Sequence, residues 1–152
     1  GTFDYASPEQ LSGKRLNLKA DLWSFGVMIF EMYAGTKPFS NSFEDSNIDQ
    51  ARVRLFQNIA NASIPFEIET FPPEVQALIR SCLIKDSNQR VPDISTLKEV
   101  YKNPEKYKSL WGKSKVSEPK DIHLFFDKYK NLIPDKTTSF GSLDLIIDSF
   151  ED

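Results

Sequence analysis

The thirteen residues from Leu22 to Ala34 constrain this chain more than any others. Ten of them are apolar: Leu22, Trp23, Phe25, Val27, Met28, Ile29, Phe30, Met32, Tyr33 and Ala34. On a helix they occupy every face rather than one stripe, the pattern of a helix at the centre of a domain, packed on all sides. Asn17 can cap its start, and Asp21 falls early, where the helix dipole favours negative charge. Gly35 ends it, and Pro38 prevents its resumption. Ser24, Gly26 and Glu31 interrupt the stretch, which is also too short to cross a hydrocarbon layer of roughly 30 Å. The expectation is therefore a buried helix over residues 18–34.

The rest of the chain supplies shorter helices to surround it. Residues 1–17 read as a loop with one helical turn after Pro8. A polar, acidic loop over 40–48 precedes an amphipathic helix over 49–60, with Val53, Phe56, Ile59 and Ala60 on its apolar face. Residues 61–72 form a connector ending in Phe71-Pro72-Pro73. A helix over about 73–84 follows, with Val75, Leu78, Ile79, Cys82 and Leu83 at core spacing. After a loop over 85–90, Pro92 opens a last core helix carrying Ile94, Leu97 and Val100. There is no internal repeat and no confident strand, so the fold class is mainly α.

Composition removes several functions. Nineteen basic and twenty-two acidic residues give a net charge of −3 with no basic stripe, which excludes a nucleic-acid partner. A mean hydropathy of −0.42 and the absence of a signal-like start exclude a membrane partner. One cysteine, Cys82, and one histidine, His123, exclude a disulfide framework and paired metal motifs, and fit a reducing compartment. Cys82 falls at a core position, as packing rather than a reactive thiol. The chain opens on Gly1 rather than Met, which suggests a fragment or processed product.

Four motifs stand in order. Gly1-Thr2-Phe3-Asp4-Tyr5-Ala6-Ser7-Pro8-Glu9 resembles the G-T-x-x-Y-x-A-P-E that ends a protein-kinase activation segment. Asp21-Leu22-Trp23-Ser24-Phe25-Gly26, starting twelve residues after Glu9, resembles the D-x-W-S-x-G that opens that family's central helix. Gly35-Thr36-Lys37-Pro38-Phe39 resembles the G-x-x-P-F that closes it, and the run from Cys82 to Arg90 resembles C-L-x-x-D-P-x-x-R. The chain is thus similar to the C-terminal lobe of eukaryotic-type Ser/Thr protein kinases. The resemblance implies the helical large lobe of the kinase-like fold, truncated, over residues 1–100. Residues 101–152 would be an irregular C-terminal extension.

The resemblance assigns roles to individual residues. Glu9 is expected to pair with Arg90, whose planar fork suits a carboxylate held bidentately; read by sequence separation alone, the two are unrelated surface charges. Asp21 is expected to accept hydrogen bonds from the catalytic loop, or to serve simply as an acid in the first helical turn. Trp23 and Gly26 are read as packing around that contact. Thr2 would support the catalytic loop, and Tyr5 and Ala6 would help form a pocket for the substrate residue after the phosphoacceptor. Glu31, an ionisable group on an apolar helix, needs a partner or solvent. It is either a contact for a substrate arginine or an internally hydrogen-bonded glutamate. Thr2, Tyr5, Ala6 and Glu31 form the expected substrate-binding set; Glu9, Asp21, Trp23, Gly26 and Arg90 form the structural one.

Departures from the family pattern matter as well. Ser7 replaces alanine and Ser87 replaces proline, both small changes. Ser139-Phe140-Gly141 lies in the tail with serine in place of a metal ligand, and is rejected as a D-F-G motif. The residues that bind ATP and Mg2+ and carry phosphoryl transfer normally precede Gly1. No catalytic or metal-binding residue is therefore expected here, and the chain alone should be inactive. The implied activity is transfer of the ATP γ-phosphate to protein Ser/Thr, inside the cell, in cytoplasm or nucleus. Its partners would be a protein substrate and the missing N-lobe and catalytic loop. The alternative is a pseudokinase or scaffold lobe that acts by binding proteins. The closing apolar and acidic residues, Ser142 to Asp152, read equally as a docking helix or a disordered end.

Overall fold

The computed structural model describes residues 3–14, 17–40, 47–111 and 116. Six α-helices follow one another: α1 (Pro8–Leu11), α2 (Leu18–Ala34), α3 (Ile48–Asn61), α4 (Pro73–Cys82), α5 (Ile94–Lys102) and α6 (Lys108–Trp111). Two 3-10 turns, Phe66–Thr70 and Pro104–Tyr107, lie between them. Among the described residues there is no strand, only an isolated parallel bridge between Ile64 and Val116. The expected mainly α fold is what forms. The Ser139–Gly141 run, His123 and the segment from Ser142 to Asp152 lie outside the described residues.

Local chemistry sets the ends of these helices. Ser7 and Gln10 cap α1 reciprocally: Gln10 N–H donates to Ser7 Oγ at 3.2 Å, and Ser7 N–H donates to Gln10 Oε1 at 2.7 Å. Pro8 holds the first helical position. The serine that departs from the family's alanine therefore does a capping job while fully buried. Asn17 caps α2 through Ala20 N–H. Gly35 closes α2 at φ 78°, a left-handed conformation that costs glycine little. Asp93 caps α5 by accepting from Thr96 N–H at 2.8 Å, which lowers its carboxyl pKa.

The core forms where α2 crosses α4 and α4 packs on α5. Trp23, Val27, Ile29 and Phe30 of α2 are fully buried, as are Val75, Leu78 and Ile79 of α4 and Val100 of α5. Gly26 permits the closest approach. A Cβ on Gly26 would sit 2.6 Å from Cys82 Cβ and 3.1 Å from Leu83 Cδ2. Phe71 closes the far end, edge-on to Phe30 at 5.5 Å and tilted against Tyr33 at 5.4 Å.

Three expectations require correction. First, α2 is not packed on all sides: Leu18, Asp21, Met28 and Met32 form an exposed stripe. Phe25, on the same side between Asp21 and Met28, is buried. Second, of the expected face of α3, Val53, Phe56, Ile59 and Ala60, only Ile59 is buried, and its buried companion is Leu55. Val53 is 50% exposed, and Phe56 instead lines a cleft of about 540 Å³ with Pro8, Ile59 and Lys85. Third, the 61–72 connector is part of the core. Ile64, Ile68 and Phe71 are buried, and Arg80 of α4 reaches back to Glu69 at 2.9 Å. Helical structure also continues past residue 100, with the 3-10 turn at Pro104–Tyr107 and α6 packed against α4.

Two outcomes follow from the α2–α4 contact. Gly26→Ala places carbon against the root of Cys82 rather than a flexible tip, so it should cost about 1–3 kcal/mol in urea denaturation. The Cys82 thiol is buried, and burial raises its pKa to about 12 despite nearby Arg90. A soluble disulfide reagent should therefore label Cys82 only as the protein unfolds; rapid labelling without denaturant would contradict the packing.

Candidate functional site

Two polar assemblies stand out, one buried and one exposed, joined by residues 3–9. The buried one centres on Arg90, whose side chain is fully inaccessible. Its Nη1 lies 2.9 Å from Glu9 Oε1 and 3.1 Å from Oε2. The same nitrogen donates to Lys19 C=O at 2.7 Å, and Nε donates to Ile84 C=O at 2.9 Å. Nη2 is directed to Lys85 C=O at 3.4 Å. The expected two-nitrogen fork on the carboxylate does not form. One nitrogen meets Glu9 end-on, because the other two are engaged by the backbone that follows α4. The guanidinium also lies over Trp23, 5.2 Å from the ring centroid, and Trp23 stacks on Phe39 at 5.7 Å.

The exposed assembly lies where residues 3–7 cross α2. Ser24 Oγ–H donates to Tyr5 C=O at 2.6 Å, fixing the loop to the helix. Tyr5 O–H donates to Glu31 Oε1 at 2.6 Å. That hydrogen bond, then burial and the Glu31 charge, raise the phenol pKa. Lys37 Nζ lies 3.4 Å from Asp4 Oδ2, 3.9 Å from Glu31 Oε2 and 5.1 Å above the Tyr5 ring. Burial opposes the Lys37 charge, but the hydrogen bond to Asp4 and the neighbouring Tyr5, Asp4 and Glu31 outweigh it and raise the ammonium pKa.

The structure brings Tyr5 to Glu31 and Glu9 to Arg90. Ala6 is half-buried and packs against the core. Trp23 and Gly26 are inside it. Asp21 is exposed, and no partner for it is present among the described residues. Thr2 lies outside the described residues. Sequence reasoning missed Asp4, which is 4% exposed, and Lys37. It quoted Ser24 within a motif without a role. Lys37 sits in the family's variable position before Pro38-Phe39, so only its distance from Asp4 in space identifies it.

The hydrogen bonds and ion pairs of this cluster orient residues 3–7 on α2. ATP and Mg2+ belong to the complete kinase domain. Among the described residues no three His, Cys, Asp or Glu side chains converge to hold a metal ion, and no residue of this chain is assigned to either group. No described helix is long and apolar enough to cross a membrane.

The architecture is a helical lobe with a loop-to-core arginine anchor and a polar surface cluster beside it. The protein kinase domain profile matches residues 1–104, and the chain belongs to that family. It is 37% identical over 103 residues to cAMP-dependent protein kinase type 3 of Saccharomyces cerevisiae, covering 68% of this chain and 24% of that protein. It is 35% identical over 104 residues to an Aurora kinase of Dictyostelium discoideum, again with 68% and 24% coverage. Serine/threonine-protein kinase nrc-2 of Neurospora crassa is 29% identical over 123 residues, 78% of this chain and 18% of that protein. The chain therefore spans about a quarter of the length of curated relatives it matches.

The anchor is testable by mutation. Arg90→Ala leaves the buried Glu9 carboxylate and the carbonyls of Lys19, Ile84 and Lys85 without their donor, and should cost about 3–5 kcal/mol. Limited proteolysis near Pro8 should accelerate with it; unchanged cleavage would contradict the anchoring role.

Proposed function

We infer that this chain supplies the substrate-facing and structural elements of a Ser/Thr protein kinase that transfers the ATP γ-phosphate to serine or threonine of a protein substrate. Residues 1–100 are assigned to the large lobe. Residues 101–152 are assigned to a C-terminal extension whose first turns pack back on α4. The observation that carries the reading is the Arg90 anchor. It holds the loop bearing Tyr5 and Ala6 against the helix bearing Glu31, where a peptide can be presented to chemistry performed elsewhere in the domain. Thr2 and Asp21 would face the catalytic loop, and Asp21 is exposed on the stripe of α2 with Met28 and Met32, as such a contact requires. ATP and Mg2+ would be held by the N-lobe and catalytic loop, and positioning with charge stabilisation there would drive transfer. An intracellular location, in cytoplasm or nucleus, accords with the reduced, buried Cys82.

The test has two arms. The 152-residue chain alone should neither bind ATP nor phosphorylate a serine peptide, read by isothermal calorimetry and radiolabelled phosphate transfer. Fused to a kinase N-lobe and catalytic loop, it should support transfer, and Arg90→Ala should reduce that rate at least about tenfold, since a small misplacement of substrate is costly. Transfer by the chain alone would overturn the division of labour. A fusion that binds ATP but transfers nothing would favour the scaffold reading.

A further inference from the structure

Glu31 does not wait for an incoming ligand with an empty carboxylate. Its Oε1 accepts the Tyr5 phenol at 2.6 Å, and its Oε2 faces the Lys37 ammonium at 3.9 Å. The same ammonium reaches the buried Asp4 carboxylate at 3.4 Å and lies over the Tyr5 ring. We propose that Lys37 is a specificity-determining residue: an internal cation that occupies the Glu31 carboxylate and sets this surface against basic peptide side chains. The proposal rests on the reading of residues 3–7 and Glu31 as substrate-facing.

The charge arithmetic favours it. Asp4 and Glu31 together carry about −2 at neutral pH, a natural site for an arginine or lysine. Lys37 brings the cluster to about −1 and places a like charge directly in the path of any approaching cation. A guanidinium binds a carboxylate best by seating two N–H groups on both oxygens. Here that would require the Tyr5 hydroxyl and Lys37 both to move aside. Lys37 also has reasons to stay. Asp4 beneath it is 4% exposed and offers a poorly hydrated counter-charge. The ring of Tyr5 adds a cation–π contact. Pro38 restricts the Lys37 backbone to extended conformations. The substrate class that suits the surface is a peptide with an uncharged side chain opposite Glu31.

A peptide pair isolates the effect: one short serine peptide carrying a single arginine, and its twin with uncharged, isosteric citrulline. Binding of each to the 152-residue chain is measured by NMR titration at low ionic strength. The natural chain should bind the two within about twofold. Lys37→Met should tighten the arginine peptide about three- to fivefold, the scale of an exposed ion pair, and leave the citrulline peptide unchanged. Adding Glu31→Gln to Lys37→Met should erase the gain. If the natural chain already prefers arginine by the same factor as Lys37→Met, the role of Lys37 is overturned while the substrate-facing reading stands. If neither peptide binds any version, the substrate-facing reading falls and takes this inference with it.

Discussion

The structure depends on one guanidinium. Arg90 has no access to water, so its charge must be met entirely by protein groups. Those groups come from four places in the chain: the Glu9 carboxylate in α1, the Lys19 carbonyl in α2, the Ile84 and Lys85 carbonyls after α4, and the Trp23 face in α2. A buried ion pair by itself is weak evidence of stability, because desolvation offsets the attraction. What makes this one effective is the number of carbonyls that share the charge. Removing any segment leaves a donor or acceptor unsatisfied inside the fold, so the segments are held to a common geometry.

That geometry positions the surface cluster. Glu9 and Tyr5 are four residues apart, and the Ser7–Gln10 capping box spans Glu9. The anchor at one end and the Ser24 hydroxyl at the other hold the intervening backbone along α2. α2 in turn is held by the glycine-permitted approach of Cys82 and by the aromatic closure at Phe71. The Tyr5–Glu31 hydrogen bond therefore joins two elements fixed independently of it. A site built this way keeps its shape when its own polar contacts are exchanged.

The extent of α2 was legible to the residue, because Asn17, a continuous apolar run and Gly35 all mark the same bounds. The motif spacing also singled out Glu9, Arg90 and Tyr5, and Glu31 stood out as the ionisable group on an apolar helix. The face of α3 was not legible. Ile59 belongs to both registers, but its buried companion is Leu55 rather than Phe56 one position on, and a helix whose apolar residues spread that widely gives two nearly equal stripes. Whichever stripe meets α1 is buried, and sequence alone does not choose it. Ile64 and Ile68 were missed for a related reason: a single bridge residue and one 3-10 turn are too short to show a period. The partnership of Asp4 with Lys37 spans thirty-three residues and two different elements, and no local signal reports such a meeting.

Burial separates the two ion pairs of this loop into different kinds of object. Glu9 and Arg90 are excluded from water, and breaking them strands a charge in a medium that cannot solvate it. Lys37 and Glu31 are 28% and 33% exposed, and either can trade its partner for water or for another ion at small cost. The first pair is therefore suited to fixing the fold and unsuited to exchange. The second is suited to exchange, and its occupant can decide what the surface accepts. Glu9 and the residues that meet the second pair, Asp4 and Tyr5, all lie in the run from Phe3 to Glu9, so the rigid pair holds in place the loop against which the exchangeable one rests.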